Sequence, residues 1–324
     1  MLTTHVHTGD GRRLTNIPPA ELPPYHADPT AAIWVDLEAP TSEELAQIAG
    51  TFGLLDLTVE DLLKQGQRAK LEAFDGYNVL IMHGMGFDPV TLEVATPELD
   101  IVLGKNFLIT NHDQRLRDIV HDPQGADHSC AQLAKSSTLV LYGVVDRLVD
   151  GYYPVLDLID DAIESVEERV LSIPSPDTLN QIFTLKHSLS TLRKVISPQL
   201  EQFNRLIARE DAVIDPKYVV YFRDIYDHLV RSFEVVDSYR DLMSSAMDAY
   251  LSMTANRQNE VMQRLTLFAT IFLPITFVTG LFGQNFRDMP QVEHDTGYLW
   301  WIILALMVIF SVGQIIYYKR RRWL

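Results

Sequence analysis

The stretch "LTLFATIFLPITFVTGLFGQNFRDMPQ", residues 265–291, decides how the rest of the chain is read. Its first 18 residues, 265–282, carry no charge, which is close to the lower limit for a helix that crosses a hydrocarbon core. The chain then turns small and amide-bearing at Gly283, Gln284 and Asn285, and charged at Arg287 and Asp288. A second uncharged run, "YLWWIILALMVIFSVGQIIYY", covers the 21 residues 298–318 and has Tyr and Trp near its ends, where interfacial anchors belong. Upstream of residue 265 every apolar run is too short or too interrupted by charge to span. Two buried core helices are the alternative, but uncharged runs of this length are uncommon in soluble folds.

Two spans put both outer ends on one side of a bilayer. Lys319, Arg320, Arg321 and Arg322 follow the second span directly, so that side is expected to be the cytoplasm. The loop between the spans sets Arg287 alone against Asp288, Glu293 and Asp295. The start, "MLTTHVHTGDGRRL", lacks a basic segment followed by an apolar core, so no signal peptide is expected. The reading is an integral protein of the cytoplasmic (plasma or inner) membrane, with both termini and a large soluble part in the cytoplasm.

Composition narrows the partners. The chain has 324 residues, 47% hydrophobic and 22% charged, with a net charge of −16. That charge excludes a nucleic-acid partner, because phosphate binding needs a basic face. Acidity suits cations, although it often serves solubility alone. A single cysteine, Cys130, excludes an intramolecular disulfide and a cysteine-rich zinc cage.

The soluble part changes character along its length. Residues 1–135 read as mixed α/β. "AAIWVDLE" (31–38), "GYNVLIMHGMGF" (76–87) and "LDIVLGKNFLITNH" (99–112) have the β-branched and aromatic content of strands. "TSEELAQIAGTFG" (41–53) starts as a capped helix, with Thr41 or Ser42 as N-cap and Glu44 in the first turn. "TVEDLLKQ" (58–65) is a second short helix. From about Ser136 long helical stretches take over, interrupted near 172–177 and 214–218, with Pro198 kinking a helix or separating two. The run from Ser238 into the first span meets no Gly or Pro before Pro274, giving a rod of roughly 35 residues and about 50 Å.

Chemistry-bearing motifs are few. Asp157, Asp160, Asp161, Glu164, Glu167 and Glu168 crowd one helix, as either a solvated face or a cation-attracting one. No run pairs carboxylates and histidines at the spacing of a catalytic dyad or metal triad. His5 and His7 form an incidental pair near the terminus. A phosphate-binding glycine loop and a nucleophile elbow are missing, so neither an enzyme nor an organic cofactor is expected. On the first span Asn259, Met262, Thr266, Ala269, Leu273, Thr276 and Gly280 recur at steps of three and four and share one face. Such a small, polar stripe can line a pathway between identical copies, or serve close helix packing.

At this point the residues resemble the CorA family of divalent-cation channels. The resemblance is carried by "LKHSLSTLRKVISP", "VVYFRDIYDHL", "NEVMQRLTLFATIFLPITFVTGLFGQNF" and "YYKRRRWL" over roughly 150–324, and more weakly by "QRAKLEAFDGYNVLIM". It implies a CorA-like fold: an α/β N-terminal cytoplasmic domain (1–135), a long-helix stalk domain (136–264) and two C-terminal transmembrane helices. The first of these, 265–282, would line the pore, followed by an external loop with the signature (283–297), the second helix (298–318) and a basic cytoplasmic tail (319–324). It also implies a lipid-embedded homopentamer that passes divalent cations, above all Mg2+ and also Co2+ and Ni2+, and is itself regulated by Mg2+. Asn285, with Gly283 and Gln284, stands at the family's Gly-Met-Asn signature and would form an amide ring at the outer mouth. Asn259, Met262, Leu273, Thr276 and Gly280 would face the pore further in. Asp248 matches a regulatory metal ligand shared between subunits, with Asp88 as its partner from the N-terminal domain, and Asp224 matches a carboxylate of a second such site.

The physics agrees with that assignment. Mg2+ sheds water reluctantly. A ring of neutral amide oxygens can accept hydrogen bonds from those waters, whereas a carboxylate ring would hold the ion too long for conduction. Two departures stand out. Gln284 replaces the signature methionine. Where the family often has acidic residues after the signature, as in a Met-Pro-Glu stretch, this chain has Arg287 and then "MPQ", with Asp288 and Glu293 displaced, which lowers the negative potential at the mouth. The related ZntB-like zinc transporters are the alternative, and a non-conducting metal sensor is a rival of another class.

Overall fold

The computed structural model describes residues 1–64, 66–120, 133–134, 136–172, 174–208, 213–214, 216–283 and 297–321. The chain divides into two compact units, Met1–Asp248 and Ala249–Leu324.

The first unit is built on a seven-stranded sheet. Its strands are β1 (Leu2–His7), β2 (Arg13–Thr15), β3 (Ala32–Glu38), β4 (Lys70–Ala73), β5 (Tyr77–His83), β8 (Glu98–Gly104) and β9 (Phe107–His112), in the order β2-β1-β3-β9-β8-β5-β4. A separate hairpin joins β6 (Gly86–Asp88) to β7 (Glu93–Ala95). Within the large sheet β3 and β9 run parallel, with Ile33 opposite Phe107 and Glu38 opposite His112, and the other neighbours are antiparallel.

Both faces of the sheet are buried along its central strands. Ile33, Val35, Leu37, Val79, Ile81, Val102 and Ile109 form one apolar layer with Leu45, Ile48 and Phe52 of a helix at Ser42–Phe52 and Leu62 of a helix at Asp56–Leu63. Each such side chain contributes about 1.5–3 kcal/mol on burial. On the opposite face the Trp34 indole donates to Thr110 Oγ1 at 3.1 Å, Thr110 donates to Asp36, and His112 Nε2 lies 3.3 Å from Asp36. Burial works against a charged His112, but Asp36 outweighs it and raises the imidazole above its ordinary pKa. A helix at Ser137–Asp150 packs on β3, β8 and β9.

The helix at Ser42–Phe52 begins as its residues dictate. Thr41 Oγ1 accepts the Glu44 N–H at 3.2 Å and Glu44 accepts the Thr41 N–H at 2.8 Å, a reciprocal cap. Gly53 ends it at φ 67°, in the left-handed region open to glycine. The expected strand at 76–87 is divided between β5 and β6, and that at 99–112 is a hairpin of β8 and β9. Strands β1, β2, β4 and β7 were not anticipated. The short helix expected at 58–65 occupies Asp56–Leu63.

The long helices hold one further correction. A helix at Tyr152–Ser172 is followed by one at Pro176–Ala208, where Ser175 Oγ accepts the Thr178 N–H at 3.2 Å and Pro176 takes the first-turn position. Pro198 lies inside that helix without ending it. Buried neighbours Ile196, Gln199 and Phe203 supply the packing that holds the helix across the missing hydrogen bond. The rod expected from Ser238 begins at Val219 and continues through Pro274 to Phe282, 64 residues in all.

Tyr152 ties this helical layer to the sheet. Its buried hydroxyl donates to the His83 carbonyl and lies 3.2 Å from Gln199 Oε1, which also takes the His83 N–H at 3.2 Å. Tyr152→Phe would take this donor from the buried His83 carbonyl while Gln199 Oε1 keeps the His83 N–H, at about 1–3 kcal/mol. The expected result is a melting temperature lower by several degrees for the full chain in detergent; an unchanged value would remove this tie from the account.

Candidate functional site

The second unit contains the candidate pathway. Two helices, the one ending at Phe282 and another at Gly297–Arg320, are long and apolar enough to cross a membrane. Only 6% and 0% of their most apolar windows are buried, unlike the core helices of a soluble protein. The first presents Leu267, Pro274, Ile275 and Val278 on its covered side. The last three face Ile303, Leu306, Met307 and Phe310 of the second helix across an apolar cavity of about 350 Å3.

The stripe lies elsewhere on that helix. Asn259, Met262, Thr266, Ala269, Leu273, Thr276 and Gly280 are all exposed, Leu273 at 69%. Packing against the second span therefore does not account for this stripe within one protomer. Phe268 and Phe272 are exposed off the stripe, with the bulky apolar character that suits lipid, whereas Phe277, four residues after Leu273 and three before Gly280, is exposed at the edge of the stripe itself. Thr276 Oγ1 donates to the Phe272 carbonyl at 2.8 Å, so the hydroxyl is satisfied at membrane depth while its oxygen can still accept. Around Gly280 a Cβ would meet nothing within 4 Å. Gly283 closes the helix by donating its N–H to the Thr279 carbonyl at 2.9 Å, where a Cβ would come within 3.1 Å of that oxygen. Gln284 and Asn285 lie outside the described residues, as do Arg287, Arg322 and Cys130.

The expected regulatory carboxylates all sit at the surface of the first unit. Asp88 ends β6, where its Oδ1 accepts the Val90 N–H at 2.8 Å, and this bond holds the carboxyl below its usual pKa. Asp248 and Asp224 are exposed on the helix at Val219–Phe282. Among the described residues of one protomer, Asp88 and Asp248 join no group of three metal-ligating side chains.

The structure does assemble one such group, from helices distant in the sequence rather than from a single run. Ligand atoms of Asp146, Asp150 and His228 all lie within 4.8 Å of one another, and His228 Nδ1 is 3.4 Å from Asp150 Oδ1. Burial raises the Asp146 carboxyl, and the charges of Asp150 and Asp224 raise it further, which places Asp224 beside the group. Burial and then Asp146 push the Tyr142 phenol up to about 12. A mixed imidazole and carboxylate set suits borderline metals such as Zn2+, Co2+ and Ni2+ better than Mg2+. The missed signal was two i,i+4 pairs, Asp146 with Asp150 and Asp224 with His228, on helices far apart in sequence. The acidic run at 157–168 lies mostly exposed, and His5 stacks on Trp34 with ring centroids 5.2 Å apart.

Comparisons with known proteins agree with this architecture. The family described as CorA-like Mg2+ transporter protein matches residues 30–320. The chain is 34% identical over 301 residues to the cobalt/magnesium transport protein CorA of Thermotoga maritima, covering 92% of this chain and 85% of that one. It is 33% identical over 290 residues to the putative metal ion transporter YfjQ of Bacillus subtilis, covering 90% and 89%. The complete structure of the CorA magnesium transporter from Methanocaldococcus jannaschii superposes with a TM-score of 0.83 at 20% identity, covering 100% of this chain and 99% of that one. A sequence match across both spans and the α/β domain, with a full-length likeness of fold, places this chain in the CorA-like Mg2+ transporter family.

Proposed function

We propose that this protein is a channel-type transporter that passes hydrated divalent cations, Mg2+ first and Co2+ and Ni2+ besides, through a pore on the axis of a homopentamer. The observation that carries the reading is the open stripe from Asn259 to Gly280 on a helix whose other side is covered by the second span. Polar groups at membrane depth are tolerated where they line water. Copies arranged about an axis would bring Asn259, Met262, Leu273, Thr276 and Gly280 into such a lining, with Gly283, Gln284 and Asn285 at the outer mouth. The names of the relatives, a cobalt/magnesium and a putative metal ion transporter, support the cargo. The domain boundaries stated from the sequence, with both termini in the cytoplasm and the spans in the cytoplasmic membrane, belong to the same proposal.

An inside-negative potential drives entry at about 2.3 kcal/mol per charge per 100 mV, hence roughly 4.6 kcal/mol for a divalent ion, so no nucleotide is needed. Regulation follows from Asp88, Asp248 and Asp224 at subunit boundaries. Facing carboxylates repel unless a cation lies between them, so internal Mg2+ holds a closed symmetric state and its depletion frees the helices.

The test is uptake of Mg2+, Co2+, Ni2+ and Zn2+ into proteoliposomes, with and without a pH gradient. Potential-driven Mg2+ uptake that ignores the gradient is expected. Zn2+ uptake that requires the gradient would favour a ZntB-like reading, and no flux of any ion would leave a sensor.

A further inference from the structure

The α/β domain contains a polar cavity of about 510 Å3 whose lining includes Gly66, Glu98, Asp100, Asn111 and Asp113. Glu98 and Asp100 are two residues apart on β8 and so project from the same face of the strand. Asp100 is only 5% exposed. Its Oδ2 accepts from Asn111 Nδ2 at 2.9 Å, and its Oδ1 has no hydrogen-bond partner. Glu98 Oε2 accepts the N–H groups of Gly66 and Gln67 at 2.7 and 2.8 Å, and its Oε1 likewise has none. Two buried carboxyl oxygens thus find no donor elsewhere in the described protein and lie beside a cavity, a costly arrangement unless a proton or a cation joins them.

The neighbouring cations do not supply that charge. His83 Nε2 lies 3.9 Å from Glu98 Oε2, but burial holds the imidazole below its ordinary pKa. Lys70 is committed to Asp61 at 2.6 Å and Glu72 at 3.2 Å, and Arg115 to Asp113. Burial, the Glu98 charge and a side-chain hydrogen bond with Glu98 drive the Asp100 carboxyl up, so the metal-free pair shares a proton that a bound cation would displace.

We propose that Glu98 Oε1 and Asp100 Oδ1 form a divalent-cation site inside the α/β domain of a single protomer, separate from the surface carboxylates Asp88, Asp224 and Asp248. An all-oxygen donor pair with room for water suits a hard ion such as Mg2+ or Mn2+, which keeps several waters when protein-bound. The bound ion would also fix the chain at Gly66 and Gln67, because the same Glu98 carboxylate holds both amides.

Mn2+ is the probe. Anomalous scattering from crystals of the full-length protein grown with Mn2+ should give a peak within ligand distance of both carboxylates. Mn2+ bound elsewhere with none at this pair, or no bound Mn2+ at all, overturns the site. In a full-length chain already carrying Asp88→Ala and Asp248→Ala, the further change Asp100→Asn keeps an acceptor for Asn111 and should remove a single bound Mn2+ per chain, counted by electron paramagnetic resonance. An unchanged count would mean that the pair holds only a shared proton. The site stands or falls independently of ion flux.

Discussion

Replacing Asn285 by alanine should lower Mg2+ uptake into proteoliposomes by about 100-fold or more, with melting temperature and oligomeric state unchanged. In the proposed pore mouth, each amide oxygen accepts a hydrogen bond from a water of the hydrated ion. Hydrogen bonds to charged partners contribute about 1.5–3 kcal/mol each, so losing two per entering ion raises the barrier by about 3–6 kcal/mol. At about 1.4 kcal/mol per factor of ten, the lower figure already gives about 100-fold. Asn285→Asp should not restore the flux, because a carboxylate ring binds the ion more tightly and slows its exit. Uptake in the alanine variant within a few-fold of the parent would remove Asn285 from the pathway.

Asp248→Ala should raise the internal Mg2+ concentration needed for half-maximal inhibition by about tenfold or more. Removing one charged ligand from a shared site gives up about 1.5–3 kcal/mol of binding. Asp248 is the cleaner probe of the proposed pair. It is exposed on a helix, where alanine is well tolerated, whereas Asp88 also anchors the Val90 N–H at 2.8 Å and its loss would disturb the hairpin tip. The readout is flux from proteoliposomes loaded with graded Mg2+. An inhibition curve that coincides with that of the parent would show that Asp248 carries no regulatory ion.

Local chemistry made several elements readable. Thr41 and Glu44 cap their helix because both partners lie within one turn. The spans are legible because every residue of an uncharged run reports the same solvent. Strands β1 and β4 escaped notice for the opposite reason. "LTTHVH" and "KLEA" mix polar and apolar residues without a strong period, and become strands by pairing with β3 and β5, so that Leu2 meets Leu37 and Lys70 meets Ile81. Pro198 could kink one helix or separate two, and only the packed structure shows a single helix running through it.

The candidate sites divide in the same way. Asn259, Met262, Leu273, Thr276 and Gly280 share a face because helical periodicity is a property of spacing, so that stripe was visible before any coordinates. Whether the second span would cover it was not, since that depends on how two helices meet. Likewise Asp146 and Asp150 come beside His228 through helix packing, and Asp100 acquires an orphaned oxygen through burial in the sheet. Membrane insertion, helix caps and amphipathic faces follow from short-range order and solvent preference, both written residue by residue. Metal-ligand groups and buried charge arise from contacts between segments distant along the chain, and those exist only once the packed core has chosen its pairings.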